Sequence, residues 1–130
     1  MVGLLVVSHS ARAAEGIRDI ALEMGGEDAH IVAVGGDVDG GIGSSVTAIR
    51  DALEDLLAET DGVVVLADLG SAVMNAEHAI EELGAGENVV IADAPLLEGT
   101  LNAAVAAASS RATVESVRQA AAEAAGPTTS

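Results

Sequence analysis

Residues 61–83 read DGVVVLADLGSAVMNAEHAIEEL, and this stretch decides the fold class. Gly62–Ala67 is a continuous apolar run rich in β-branched residues, without the alternation of a half-solvated strand. Such a run suits a strand of a parallel sheet covered on both faces. A short polar link, Asp68–Ser71, leads into a segment of helical period, with Val73, Ala76, Ile80 and Leu83 on one stripe. Gly84 then stands where a helix would stop.

The same strand-then-helix unit recurs on either side. Further apolar runs lie at Val2–Val7, His30–Val34 and Asn88–Ala92. Helical segments are predicted at Ala11–Met24 (stripe Ile17, Ile20, Ala21, Met24), Ser45–Glu59 (Ile49, Leu53, Leu56, Leu57), Glu98–Ser109 and Val114–Ala124. Thr113 is the expected cap of the last helix, and Gly25-Gly26 the expected stop of the first. Repetition of this unit predicts a three-layer α/β/α, doubly wound, mainly parallel four-stranded sheet, in which the order 2-1-3-4 would make strands one and three neighbours. There is no internal repeat, and one domain over residues 1–126 with a loose tail at 127–130 is expected.

Composition removes many functions. The 130 residues contain no Cys, no Phe, Tyr or Trp, and no Lys, because all five basic residues are arginines. Disulfides, thiolate chemistry, Schiff bases, a P-loop lysine and aromatic stacking platforms are thereby excluded. Five arginines against 21 Asp and Glu give a net charge of -16, which opposes binding to nucleic acid or anionic lipid. Acidity without lysine also suits a high-salt cell interior. At molar ionic strength the screening length falls to roughly 3 Å, and crowded carboxylates repel one another little. The N-terminus MVGLLVVSHS has no basic leader and its apolar run is too short to span a bilayer, so a cytoplasmic, halophilic protein is expected.

Open α/β sheets place ligand sites beyond the carboxyl ends of their strands. That rule singles out Ser8–Arg12, Gly35–Ser45, Asp68–Ser71 and Asp93–Gly99. His9, after the first strand and at the start of the first helix, is the candidate nucleophile. An imidazole takes up and releases a phosphoryl group readily at neutral pH, provided the opposite ring nitrogen keeps its proton on a partner. The N–H groups of Ser10, Ala11 and Arg12 would receive phosphate oxygens at the helix N-terminus. The bland alternative is a histidine that fills a loop.

Asp68 ends the third strand, which neighbours the first in a 2-1-3-4 order, so its carboxylate is the candidate orienter of His9. Alternatively it bonds the N–H groups of its own turn. Ser71 either caps the third helix or offers its hydroxyl to a phosphate. The loop GGDVDGGIGSS (35–45) lacks a nucleotide fingerprint; Gly43 and Ser44 are candidate phosphate contacts, or the glycines simply make a turn. Asp37 and Asp39 read as solvated loop acids, with no metal expected. His30 is expected at an edge or surface, His78 on an exposed helix face, and Met74 in the core. Ser8 and Ser10 do not form a hydrolase nucleophile, because the GxSxG elbow is missing.

The segments VSHSARAAEG (7–16), GGIGSS (40–45), DGVVVLADLGSAVMNAEHAIE (61–81) and APLLEGTLNAAVAAASS (94–110), in this order, closely resemble the DhaM family. These are the phosphotransferase subunits of phosphoenolpyruvate-dependent dihydroxyacetone kinases. The chain is similar, more distantly, to mannose-type (type-4) EIIA domains of the sugar phosphotransferase system. The resemblance implies a homodimer in which His9 is the phosphorylated histidine, Asp68 the acid holding its ring and Ser71 the hydroxyl near the phosphate. Ser44-Ser45 stand where the family frequently has a threonine. The implied donor is the phosphocarrier HPr, charged by enzyme I from phosphoenolpyruvate. The implied acceptor is ADP held on DhaL, with dihydroxyacetone on DhaK, so no cofactor bound tightly to this chain is expected. The alternatives are an EIIA domain of a mannose-type transporter, or a regulatory module that signals by its phosphorylation. A receiver domain is disfavoured because the first strand ends in His9 and no lysine is present.

Overall fold

A computed structural model describes residues 1–26, 28–36 and 45–126. Four strands, β1 (Val2–Ser8), β2 (Ile31–Gly35), β3 (Gly62–Ala67) and β4 (Val89–Ile91), form one parallel sheet in the order β2-β1-β3-β4. Val7 pairs with Val34 on one side and with Ala67 on the other, so the carboxyl ends of β1, β2 and β3 finish level. This is the predicted topology. It makes β1 and β3 the inner strands and brings Ser8 and Asp68 to the same edge of the sheet.

Five helices cover the sheet: α1 (Ala11–Gly25), α2 (Val46–Glu59), α3 (Gly70–Leu83), α4 (Leu96–Ala107) and α5 (Val114–Glu123). Alternate side chains of β1 feed opposite cores, as a pleated strand requires. Val2, Leu4 and Val6 pack with α1, α4 and α5 through Ala14, Ala21, Ala103, Ala104, Val117 and Ala121. Leu5 and Val7 pack with α2 and α3 through Ile49, Leu53, Leu56, Ala72, Ala76 and Ala79. Fully burying a Val or Leu side chain contributes about 1.5–3 kcal/mol, and the inner strands collect most of that gain.

Local signals place the helix ends. The side chains of Ser10 and Ser45 accept from Ala13 N–H and Ala48 N–H, capping α1 and α2. Thr113 and Ser116 form a reciprocal capping box on α5. Gly84 closes α3 at a left-handed φ of 63°.

Three expectations fail, for a common reason. Ile20 and Met24 of α1 and Met74 of α3 are exposed rather than buried. The buried stripes keep the predicted Ala21 on α1 and Ala76 on α3, and are completed by Ala14 on α1 and by Ala72 and Ala79 on α3. Alanine lets a helix axis approach the sheet closely, and the larger neighbours are turned out to the flanks. The fourth helix also begins at Leu96, two residues before its expected start, with Pro95 setting the entry.

Candidate functional site

His9 follows directly on β1, and Asp68 directly on β3. Because these strands are hydrogen-bonded neighbours, the two residues meet although 59 positions separate them. Nδ1 of His9 lies 2.9 Å from Oδ1 of Asp68. Oδ2 of the same carboxylate accepts from the backbone N–H of His9 at 3.0 Å and from the Ser8 hydroxyl at 2.9 Å. A single carboxylate thus fixes both the ring and the main chain of His9.

The tautomer follows from the donors available. An ionised carboxylate only accepts, so Nδ1 carries the proton and Nε2 keeps its lone pair. Nε2 in turn accepts from the Ser71 hydroxyl at 2.6 Å. The His9 and Asp68 side chains are 18% and 24% exposed, sheltered enough to hold geometry yet within reach of solvent.

Burial of Asp68 opposes its ionisation. The bonds donated by the His9 N–H, the His9 ring and Ser8 outweigh that penalty and hold the carboxyl below its ordinary value of 3.8. Asp68 is accordingly an anion throughout the neutral range.

Two helix N-termini point at this spot. α1 starts two residues after His9, and α3 starts two residues after Asp68. Leu69 at the N-cap of α3 supplies no side-chain cap, which leaves the N–H groups of Gly70 and Ser71 without acceptors among the described residues. The N–H groups of Ala11 and Arg12 are likewise open, because Ser10 caps α1 through Ala13. Free N–H groups and aligned helix dipoles favour an anion here.

Sequence-predicted residues are therefore distributed unevenly. His9, Asp68 and Ser71 converge, and Ala11 stands beside them. Ser71 is not the helix cap, since α3 begins a residue earlier and its hydroxyl is committed to His9. The Ser10 N–H already donates to the Ser8 hydroxyl at 3.1 Å, which leaves Ser10 to cap α1. Gly43 and Ser44, with Asp37 and Asp39, lie outside the described residues.

Sequence reasoning missed Ser8 as a support. Its side chain is buried, accepts from Ser10 and donates to Asp68, bridging the ends of the two inner strands. A lone hydroxyl closing an otherwise wholly apolar strand was the available signal. His30 sits at the start of edge strand β2 with its ring 3.4 Å from Glu59, and His78 is exposed on α3 beside Glu82. Both are remote from His9. Among the described residues no cluster of His, Asp and Glu could hold a metal ion, and no helix is long and apolar enough to cross a membrane.

The chain is similar to known proteins. The sequence model of the EIIA-man family, described as the PTS system fructose IIA component, matches residues 3–118. A Listeria innocua protein, PEP-dependent dihydroxyacetone kinase 2 phosphoryl donor subunit DhaM, is 36% identical over 107 residues, which cover 81% of this chain and 85% of that protein. The DhaM phosphoryl donor subunit of Escherichia coli is 40% identical over 114 residues, covering 84% of this chain but 24% of the longer relative. The crystal structure of a protein of unknown function matches with a TM-score of 0.81 at 31% identity, covering 93% of this chain and 92% of that one. The EIIA component of Streptococcus agalactiae shares the fold, with a TM-score of 0.66 at 19% identity and coverage of 95% and 94%. On these matches the chain belongs to the EIIA-man family, and within it stands with the DhaM proteins.

Proposed function

We propose that this chain carries a phosphoryl group on Nε2 of His9, as a phosphoryl donor subunit of a phosphoenolpyruvate-dependent dihydroxyacetone kinase. The phosphoryl group arrives from the phosphohistidine of HPr, itself charged by enzyme I from phosphoenolpyruvate. It leaves to ADP held on DhaL, and from the ATP so formed to dihydroxyacetone held by DhaK. The observation that carries this reading is the division of the ring: Nδ1 is held by Asp68 at 2.9 Å, which leaves Nε2 unprotonated and bonded to the Ser71 hydroxyl.

The chemistry balances without an external base. The Nε2 lone pair attacks phosphorus in line, a P–N bond forms, and the P–N bond of the donor breaks with its electron pair returning to the donor imidazole. The His9 ring acquires positive charge, which the Asp68 carboxylate offsets through the Nδ1–H bond. The Ser71 hydroxyl, released from Nε2, turns to donate to a phosphoryl oxygen beside the N–H groups of Ala11 and Ser71. In the onward step a terminal oxygen of ADP attacks phosphorus, the P–Nε2 bond breaks, and the neutral ring is restored.

The surroundings suit a protein partner better than a small substrate. Leu69 and Met74 flank Ser71 in the sequence and are 57% and 69% exposed, an apolar rim on which a carrier can seat. A partly open cavity of about 430 Å³ lies at the other end of the sheet, lined by Val2, Gly25, His30 and Ala104, away from His9.

Incubation with phosphoenolpyruvate, enzyme I and HPr tests the reading. The expected product is an acid-labile, base-stable phosphate that disappears in His9→Ala, and the phosphoprotein should drive dihydroxyacetone phosphorylation with DhaL–ADP and DhaK. Phosphate retained by His9→Ala overturns the site. A phosphoprotein that ignores DhaL–ADP but charges a transporter IIB component assigns the chain to sugar uptake instead.

A further inference from the structure

The five arginines are outnumbered by 21 acids, and most of them are already neutralised. Arg18 lies 3.4 Å from Asp19, Arg50 lies within 4.0 Å of Asp51, Glu54 and Glu82, and Arg118 pairs with Glu115. Arg12 and Arg111 make no hydrogen bond or ion pair with any carboxylate among the described residues. They occupy opposite ends of the molecule. Arg111 lies between α4 and α5, in the turn whose residues Ser109, Ser110 and Ala112 line the cavity beside Val2, at the amino end of β1. Arg12 stands in the first turn of α1, three residues after His9, and is exposed.

An exposed guanidinium that finds no carboxylate among the described residues of a chain of charge -16 is available for an anion that arrives from outside. Its direction fits. Cα–Cβ bonds of a helix lean toward its N-terminus, so the Cα–Cβ bond of Arg12 is directed toward the end of α1 next to His9 and the guanidinium can extend that way. The neighbouring open N–H groups of Ala11 and Arg12 favour the same anion. A phosphoryl group on Nε2 brings up to two negative charges to a protein whose overall field repels them, and the Asp68 carboxylate adds a third nearby. Backbone dipoles give partial charges alone, whereas a guanidinium supplies a full charge and a planar fork matched to phosphoryl oxygens.

We propose that Arg12 binds the phosphoryl group carried on Nε2 of His9 and stabilises the charge on its equatorial oxygens during transfer. This rests on His9 being the phosphoryl carrier. No bond to nitrogen or phosphorus involves Arg12; it contributes two N–H donors and a positive charge. Because the same oxygens are present when the group arrives and when it leaves, Arg12 serves both half-reactions.

The test compares wild type with Arg12→Gln, Arg12→Lys and Arg111→Gln. Arg12→Gln and Arg111→Gln have the same net charge (-16 less one positive charge, or -17), so a bulk electrostatic effect would act on both. Expected for Arg12→Gln is a fall of about 10²-fold in the rate of charging from phospho-HPr and in the rate of discharge to DhaL–ADP, the scale for one lost charge-stabilising donor. The second ionisation of the phosphoryl group, followed by ³¹P NMR against pH, should move upward in Arg12→Gln, because a nearby cation favours the dianion. Arg12→Lys should recover part of both effects and Arg111→Gln should match wild type. The proposal is overturned if Arg12→Gln transfers within threefold of wild type with an unchanged ³¹P titration, if Arg111→Gln is slowed equally, or if only the discharge step slows. A wild-type protein that takes no phosphate at all would instead sink the carrier reading on which the proposal stands.

Discussion

Gly35 passes directly beneath Ser10: a Cβ built on Gly35 would lie 2.6 Å from the Ser10 carbonyl oxygen and 2.7 Å from the Ala11 Cα. The end of edge strand β2 and the first turn of α1 are in backbone contact there, and no side chain fits between them.

Gly35→Ala is therefore expected to push the His9–Ala11 segment away from β2. Overpacking against rigid backbone costs about 1–3 kcal/mol. The denaturation midpoint should fall by a corresponding amount, and phosphate incorporation on His9 should slow because Ala11 and the ring are displaced together. An alanine variant with wild-type stability and wild-type charging rate would show that the contact is relieved elsewhere.

Asp68→Asn keeps the size of the side chain but replaces an acceptor-only group by an amide. The Asp68 oxygens accept three bonds, from the Ser8 hydroxyl, the His9 N–H and the His9 ring, and an amide nitrogen cannot take over either oxygen's role. The ring is then free to place its proton on Nε2, where it blocks attack. A loss of about 10²-fold or more in charging rate is expected, measured by single-turnover transfer from phospho-HPr. Unaltered transfer would remove Asp68 from the mechanism.

Ser8 and Ser71 separate support from contact. Ser8→Ala leaves Asp68 with one fewer donor and the Ser10 N–H without its acceptor, at a cost of about 1–3 kcal/mol for the buried group left unpaired. Stability and charging rate should decline together in that variant. Ser71→Ala removes an exposed hydroxyl, so its melting temperature should stay near wild type while transfer slows by about 10-fold. If Ser71→Ala lost stability and kept its rate, the hydroxyl would be structural.

Acid should release the grip on His9 in one direction only. The folded carboxyl of Asp68 lies below its ordinary value of 3.8, so its ionic bonds stabilise the fold at any pH above 3.8 and are lost as pH falls through the lower folded value. The stability difference between wild type and Asp68→Asn should accordingly shrink as pH falls below 3.8 and approach zero beneath the lower folded value, read from urea midpoints across that range.

The architecture was legible because unbroken runs such as Val63–Leu66 have a single physical use, a strand with both faces covered. The pairing of His9 with Asp68 follows once β1 and β3 are neighbours, a strand order that the apolar runs alone do not fix. Side-chain phase on the helices was less legible. Periodicity weighs residues by hydrophobicity, and it therefore set Ile20, Met24 and Met74 beside Ala21 and Ala76 in the core, whereas close approach to the sheet keeps the two alanines and adds Ala14, Ala72 and Ala79. The dual role of the Asp68 carboxylate was invisible as well, since backbone N–H groups leave no mark in a sequence, and Ser8 reads as any small polar residue until the depth of its hydroxyl is known.

Both residues that grip His9, Ser8 through Asp68 and Asp68 itself, emerge from the two strands with partners on either side. Edge strands and outer helices can open transiently without parting these two, because separating them requires tearing the middle of the sheet. The His9–Asp68 pairing should thus persist, on warming, right up to cooperative melting, with the His9 imidazole NMR signals following the unfolding curve rather than preceding it.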